Sequence, residues 1–377
     1  MEARVSRLAV KPDDELNRRV LHFIPSMGGG GAERQLTYLA RGLAAAGWEV
    51  HVALLFGGPY LQTLRRSGAV IHVMPVAHNY DPRLLMRIGR VIDAVAPAVV
   101  QTWMPLMDIA GGFVSSVKGV PWILSERSSN QDYLSPAKRL LRDASARRAT
   151  AIVSNSRAGE RYWASRIPSG SRFVIENALP LEEMEAIPAA DLTPFRGMET
   201  TRLIVAAGRY DPGKNYVALV QALQIVDRAR DIKALFCGEG PSEPAIRAAI
   251  ELAGLTDRVF LAGFRQDVWG LMKAADLYVS ISHFEGRANT VMEAAACGLP
   301  LVLSDIPEHR EMFGDDAAWF VDRHDPALVA QTIEEVLADP AAARSRAVRA
   351  TRTARQWTVE AMTACYAAVY DEIAVKN

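Results

Sequence analysis

Two glutamates, Glu285 and Glu293, stand with seven residues between them in the stretch SHFEGRANTVMEAAACGLP, residues 282–300. Before it, Ala275 to Ile281 is an apolar run with strand character, and after it LPLVLS is another. An Ala-rich helix stopped by Gly298 and Pro300 joins them. The unit therefore reads strand, turn, helix, strand, the repeat of a parallel sheet. In such a sheet the turn beyond a strand's carboxyl end is where ligands gather. Glu285 falls in that turn. Asn289, Thr290 and Val291 form the helix's first turn, where backbone N–H groups lack helical partners and can hold an anion. Glu293 lies one turn deeper. Glutamates at such places often only complement the helix dipole or sit in solvent, so the pair needs a second element to make it a site.

That element is the turn in AAGRYDPGKN, residues 206–215, which again follows an apolar strand and precedes a helix. Pro212 and Gly213 make it tight, bringing Arg209 and Lys214 to one rim beside Gly208. A planar guanidinium fork with an ammonium point charge suits a diphosphate, although a solvated loop uses the same residues. A third ligand-type turn follows the first strand, VLHFIPS, as Gly28 to Gly31, where missing side chains let backbone approach a ligand. It is not a dinucleotide fingerprint. Glu33 or Arg34 falls where the third glycine belongs, and the next strand ends LLFGG with no acidic residue for a ribose.

These turns need sheets to hold them. The chain has 377 residues, half of them hydrophobic, which allows two or three domains. Strands are expected at 69–74, 98–101, 121–125, 150–154 and 172–175, then from 202 onward at 232–237, 258–262, 276–281, 300–304 and 317–320. Helical stretches alternate with them, giving two α/β sheets. Three prolines in 180–197 mark the linker. The expected division is a loosely held extension at 1–18, a first domain at 19–190, a second at 191–357, and a final helix at 358–377 that packs back on the first. No run of about 18 apolar residues appears, and the start carries no apolar signal, so neither a membrane span nor a secretory leader is expected. Cys237, Cys297 and Cys365 are far apart and form no CxxC pair, which supports neither a zinc site nor a disulfide framework and fits a reducing cytoplasm. Net charge is zero, yet residues 1–190 carry +6, with +7 concentrated in 127–172. That field attracts an anionic partner.

Taken together, Arg209 with Lys214, Glu285–x7–Glu293 and the Gly-rich first turn resemble the family 4 retaining glycosyltransferases. The likeness runs from about Val20 to the last helix, and GFR (263–265) and ENALP (176–180) fall where that family has related segments. It implies the GT-B fold, two Rossmann-like domains facing a cleft. It implies that Arg209 and Lys214, with Gly208, hold the diphosphate of a nucleotide sugar. Glu293 would take the ribose hydroxyls, and Glu285, with Gly286, the sugar. Asn289 to Val291 would offer backbone groups to phosphate and sugar, Gly29, Gly30 and Gly31 would close over the diphosphate, and the base would lie by Gly263, Phe264 and Arg265. The family works without a metal or other cofactor, and no DxD is present here. Asp13-Asp14 is in the extension and Asp315-Asp316 in a late turn. Where many members carry a His after the strand PWILS, this chain reads Ser125-Glu126-Arg127. Glu126 either replaces that group or forms a structural salt bridge.

The segment SPAKRLLRDASARRA carries Lys138, Arg139 and Arg142 at helical spacing. It reads as an acceptor-binding face for a lipid-linked pyrophosphate at an anionic membrane surface, or as a solvated helix face. The likeness of GGGGAERQ and SERSS to members that extend lipid-linked oligosaccharides adds a UDP-linked N-acetylhexosamine as donor and the cytoplasmic face of the inner membrane as the place. Nucleic acid is not an expected partner. Competing readings are a UDP-sugar 2-epimerase, a phosphorylase, for which no suitable pyridoxal phosphate lysine stands out, and an inactive nucleotide-sugar-binding subunit.

Overall fold

The structure, a computed structural model, describes residues 17–78, 81–128, 135–196, 200–226 and 231–375. Residues 1–16 of the expected extension lie outside them. The first sheet holds seven parallel strands: β1 (Arg19–Ser26), β2 (Glu49–Phe56), β3 (Val70–Val73), β4 (Val99–Trp103), β5 (Trp122–Glu126), β6 (Ala151–Ser154) and β7 (Ser171–Val174). Their order is β3-β2-β1-β4-β5-β6-β7. The second holds six: β8 (Arg202–Ala207), β9 (Ile232–Cys237), β10 (Val259–Leu261), β11 (Leu277–Ser280), β12 (Leu301–Ser304) and β13 (Trp319–Val321), in the order β10-β9-β8-β11-β12-β13. Each domain therefore starts in the middle of its sheet and winds outward both ways. The winding reverses between β1 and β4 and between β8 and β11, and such a reversal opens a crevice at the strands' carboxyl ends.

Both faces of each sheet are covered by helices, which is why the strands read as unbroken apolar runs. Along β1, Val20 and Ile24 join one core layer while Leu21 and Phe23 join the layer on the other face. The same division separates Ile204 and Ala206 from Leu203 and Val205 in β8.

The linker is more ordered than three prolines suggest. It carries short helices at Leu181–Ala186 and Thr193–Arg196, and Met184 and Leu192 enter the second domain's core. The return crossing runs beside it, with Leu179 N–H donating to the Trp357 carbonyl at 2.8 Å. The last helix, Val359–Val375, then packs on the first domain as expected. Tyr366, Val369 and Tyr370 enter that domain's core, the Tyr370 hydroxyl bonds to Gln101, and its ring meets Trp48 edge-on at 5.3 Å. Among the described residues no helix is long and apolar enough to cross a membrane.

Candidate active site

The turns after β8 and β11 straddle the second domain's reversal point, and the turn after β1 faces them from the first domain. Beyond β8 the chain makes a short 3-10 turn, Pro212–Lys214, ended by Asn215 in the left-handed region at φ 58°. Lys214 is thereby turned onto the β11 loop, where its Nζ lies 2.6 Å from Glu285 Oε1. Ser282 Oγ donates to the same oxygen at 2.7 Å. Burial pushes the Glu285 carboxyl up, but Lys214, His309 and the Ser282 hydroxyl together outweigh it, and the group ends below the usual carboxylate range. The two charges assigned to sugar and diphosphate are thus in direct contact. Arg209 is exposed on the same rim. Gly208 has φ 153°, and a Cβ on it would press against the Lys214 stem at 3.3 Å.

The helix after this loop, Asn289–Ala296, begins as the spacing indicates. Asn289 Oδ1 accepts from Asn177 of the first domain at 2.7 Å, and Thr290 Oγ1 accepts from the Tyr278 hydroxyl at 2.8 Å. The expectation that Val291 offers its backbone N–H to a ligand is corrected: that N–H donates to the Ala288 carbonyl at 3.1 Å and its side chain is buried. Glu293 is buried and paired with Arg34 from the opposite domain. Burial raises its pKa, and Arg34 is the largest opposing influence.

The glycine turn approaches the second domain closely. A Cβ at Gly29 would lie 3.6 Å from the Phe264 ring, and one at Gly31 would lie 2.5 Å from Asn289 Nδ2. Gly30 has a different reason: its missing Cβ makes room for the folded-back carboxylate of Glu33, 2.5 Å away. Phe264 is 41% exposed, as suits a ring at a cleft. Gly263 supplies the left-handed corner before it, at φ 67°. Arg265 is committed to Asp267 through two bonds of 2.8 and 2.6 Å.

Gly286 marks a close contact between the domains, because a Cβ there would lie 2.1 Å from the Arg127 carbonyl oxygen. Gly286→Ala is therefore expected to prop the cleft open, leaving each domain folded. Misplacing reacting groups by about 1 Å costs on the order of 10²-fold in rate, so kcat/KM should fall by that order while the melting temperature holds, as steady-state kinetics and circular dichroism will show.

Two expectations about the first domain are corrected. Glu126 does not face the cleft. It is 1% exposed, and its oxygens accept from Arg142 Nη1 at 2.8 Å, Trp163 Nε1 at 2.9 Å, and the backbone N–H groups of Arg127 and Ser128 at 2.9 and 3.0 Å. With both oxygens so engaged it positions the loop that touches Gly286; it is not placed to act on a sugar. Arg142 in turn is not an acceptor-binding surface residue. It is 2% exposed, its Nη2 lies 2.7 Å from Asp108 Oδ2, and it stacks on Trp163. Lys138 is exposed and Arg139 half-buried on the same helix, Pro136–Ala146. Leu140 and Leu141 beside them are exposed, as are Phe113 and Val117 on the adjoining helix Met104–Val117.

Sequence reasoning missed two side chains that join the two halves, Arg34 and Arg287, and the contacts of two beside the cleft, Arg127 and Glu33. Arg127, next to the glutamate read against the family's His, stacks on Trp103 at 4.2 Å and donates to Asn177 Oδ1 at 3.1 Å and to the Tyr366 hydroxyl at 2.6 Å. Arg287 is buried, 2.8 Å from Glu176 and 4.6 Å from the Trp357 ring. Arg34 and Glu33 were seen only as residues breaking a glycine pattern. Among the described residues no group of three or more His, Cys, Asp or Glu side chains is placed to hold a metal ion.

Two doubly wound domains meeting at a cleft, with basic and acidic loops at the second domain's reversal point, define the GT-B class of glycosyltransferase folds. The chain belongs to family 4 of the glycosyltransferases: the model of "Glycosyltransferase Family 4" matches residues 29–183 and that of "Glycosyl transferases group 1" matches 194–357. It is 30% identical over 144 residues to the N-acetylgalactosamine-N,N'-diacetylbacillosaminyl-diphospho-undecaprenol 4-alpha-N-acetylgalactosaminyltransferase of Campylobacter jejuni, a match that covers 38% of each chain. It is 25% identical over 354 residues to the 2-deoxystreptamine N-acetyl-D-glucosaminyltransferase of Streptomyces fradiae, covering 82% of this chain and 83% of that one. In fold it is similar to Anabaena Alr3699/HepE, solved in complex with UDP and glucose, with a TM-score of 0.84 at 19% identity over 94% of this chain and 100% of that one.

Proposed function

We propose that the protein transfers a sugar from a UDP-linked donor, an N-acetylhexosamine by preference, to a glycan or lipid-linked glycan with retention of configuration. The observation that carries this reading is the contact of Lys214 with Glu285 beside Arg209, at the reversal point where α/β sheets bind ligands. Lys214 and Arg209 meet the charge that develops on the leaving diphosphate, with help from the N–H groups that open the helix at Asn289. Glu285, held ionised by Lys214, accepts from sugar hydroxyls. Glu293 accepts from the ribose, and backbone at Gly263 and Phe264 borders the base. In the transfer step the bond from the anomeric carbon to the diphosphate breaks and the acceptor oxygen bonds to that carbon on the same face. The acceptor's proton passes to the departing phosphate oxygen. No protein base is required, and closing the cleft limits hydrolysis by excluding water.

A thermal-shift screen of nucleotides tests the donor assignment, because a ligand that binds only the folded state raises its melting temperature. UDP and UDP-N-acetylhexosamines are expected to raise it; a shift confined to guanine or adenine nucleotides would contradict the reading. Since the cations at the diphosphate are side chains, turnover is expected to survive excess EDTA. Loss restored by manganese or magnesium would show a metal at work.

The acceptor's charged end is assigned to Lys138 and Arg139, with Leu140, Leu141, Phe113 and Val117 meeting the lipid surface of an anionic membrane. Basic residues near such a surface contribute about 1 kcal/mol each. Replacing Lys138 and Arg139 by alanine should therefore raise the KM of a lipid-pyrophosphate acceptor roughly 10- to 30-fold, leave donor KM alone, and do less at high salt. Equal loss with an uncharged acceptor would remove the assignment.

A further inference from the structure

Arg34 comes from the first turn of the helix Gly31–Ala45, where a cation opposes the helix dipole, so its own helix does not explain it. It reaches across the cleft to Glu293, and its Nη2 donates to Glu293 Oε1. The guanidinium is 14% and the carboxylate 3% exposed. The other oxygen, Glu293 Oε2, is buried and makes no hydrogen bond of normal geometry within the described residues, although the Trp269 indole, also buried and unpaired, lies near enough to this carboxylate to lower its pKa. A carboxylate offers about four lone-pair sites on its two oxygens, and one buried without a partner costs stability.

We propose that Arg34 is a donor-positioning residue: it fixes Glu293 through Oε1 so that Oε2 receives a ribose hydroxyl of the nucleotide. This rests on the assignment of Glu293 to the donor ribose. The contact spans the domains, so it forms only when the cleft is closed, and one side chain couples nucleotide binding in the second domain to closure by the first. The neighbouring contacts share that geometry. Gly31 abuts Asn289, and Asn177 donates to it, so the start of the same helix is locked against the same element of the opposite domain. Arg34 is also the largest influence opposing the upward push of burial on Glu293.

The test is calorimetric titration of UDP and 2',3'-dideoxy-UDP into the full-length protein and into Arg34→Gln and Arg34→Lys, with small-angle scattering on each. Arg34→Gln is expected to bind UDP roughly 10- to 100-fold more weakly, the worth of a charge-assisted bond. Arg34→Lys should recover part of this. The dideoxy nucleotide, lacking the hydroxyls in question, should bind wild type and variants alike, and UDP-induced compaction should shrink in Arg34→Gln. If Arg34→Gln melts early, Arg34→Lys carries the same comparison with its charge retained. Unchanged UDP affinity in the variants overturns the inference, and tighter binding overturns it by showing that Arg34 competes with the ribose. An equal loss with both nucleotides also overturns it, because Arg34 would then act away from the ribose. Failure of the wild type to bind UDP overturns the donor assignment itself, a different result from binding that ignores Arg34.

Discussion

Lys214→Ala is expected to lower kcat by roughly 10²–10³, the usual cost of removing one group that stabilises developing charge. The lysine sits on a half-buried turn outside both cores, so the fold should persist, with the melting temperature lowered by the loss of its pair with buried Glu285. A second signature follows from its partner. Glu285 is held below the usual carboxylate range because Lys214, 2.6 Å away, together with His309 and the Ser282 hydroxyl, outweighs the effect of burial. Its pair with Lys214 therefore contributes stability above the unfolded pKa and loses it as pH falls through the folded pKa. Without Lys214, the largest influence opposing burial is lost, leaving His309 and Ser282, and the carboxyl titrates higher, so the acidic limb of kcat/KM should move to higher pH. Lys214→Arg should keep the limb in place. Near-normal turnover in Lys214→Ala would remove the lysine from the chemistry.

Arg142→Met is expected to produce the largest loss of stability. The guanidinium is shared by Asp108 and Glu126, all three almost fully buried, and its removal strands two carboxylates. Breaking a buried pair by deleting one partner costs about 3–5 kcal/mol, which lowers the melting temperature on the order of 10 °C for a domain of this size. The deficit should shrink toward pH 5, as the stranded Asp108 carboxyl takes up a proton. The wild type already leans that way. Burial pushes Asp108 up to about 6 against the pull of Arg142. With a folded pKa above the ordinary aspartate value of 3.8, this group adds stability below that value and loses it as pH rises through about 6. Thermal melts from pH 5 to 8 on both proteins check the effect, and an unchanged melting temperature at pH 7 would contradict it. Activity should fall as well, because Glu126 would lose the partner that aims it at the Arg127 and Ser128 N–H groups.

What could be read in the sequence was what depends on local pattern. Strand runs such as IKALFC, Gly298 after its helix, and the Pro212–Gly213 turn each declare themselves within a few residues. They placed the strands, the C-terminal helix and the loops bearing Lys214 and Glu285. Contacts between distant segments did not show. Arg142 has the helical spacing of a surface cation, and only the fold brings Asp108, 34 residues away, and Glu126, 16 residues away, beneath it. Glu126 at a strand end was open to two readings, and the N–H groups of the next two residues, with Arg142 and Trp163, settle its orientation. Arg34 carried one usable sign, a cation in a first helical turn, which the search for a third glycine passed over. Gly286 needed the opposite domain's Arg127 carbonyl to explain it, and no pattern around residue 286 contains that.

The most direct measurement is the anomeric configuration of the product, followed by NMR with purified protein, a UDP-α-sugar, a glycan acceptor and EDTA. The account predicts an α-linked product with one UDP released per sugar transferred, and turnover that requires acceptor. A β-linked product, acceptor-independent return of the sugar as its C2 epimer, or binding of the donor without any UDP release would contradict it.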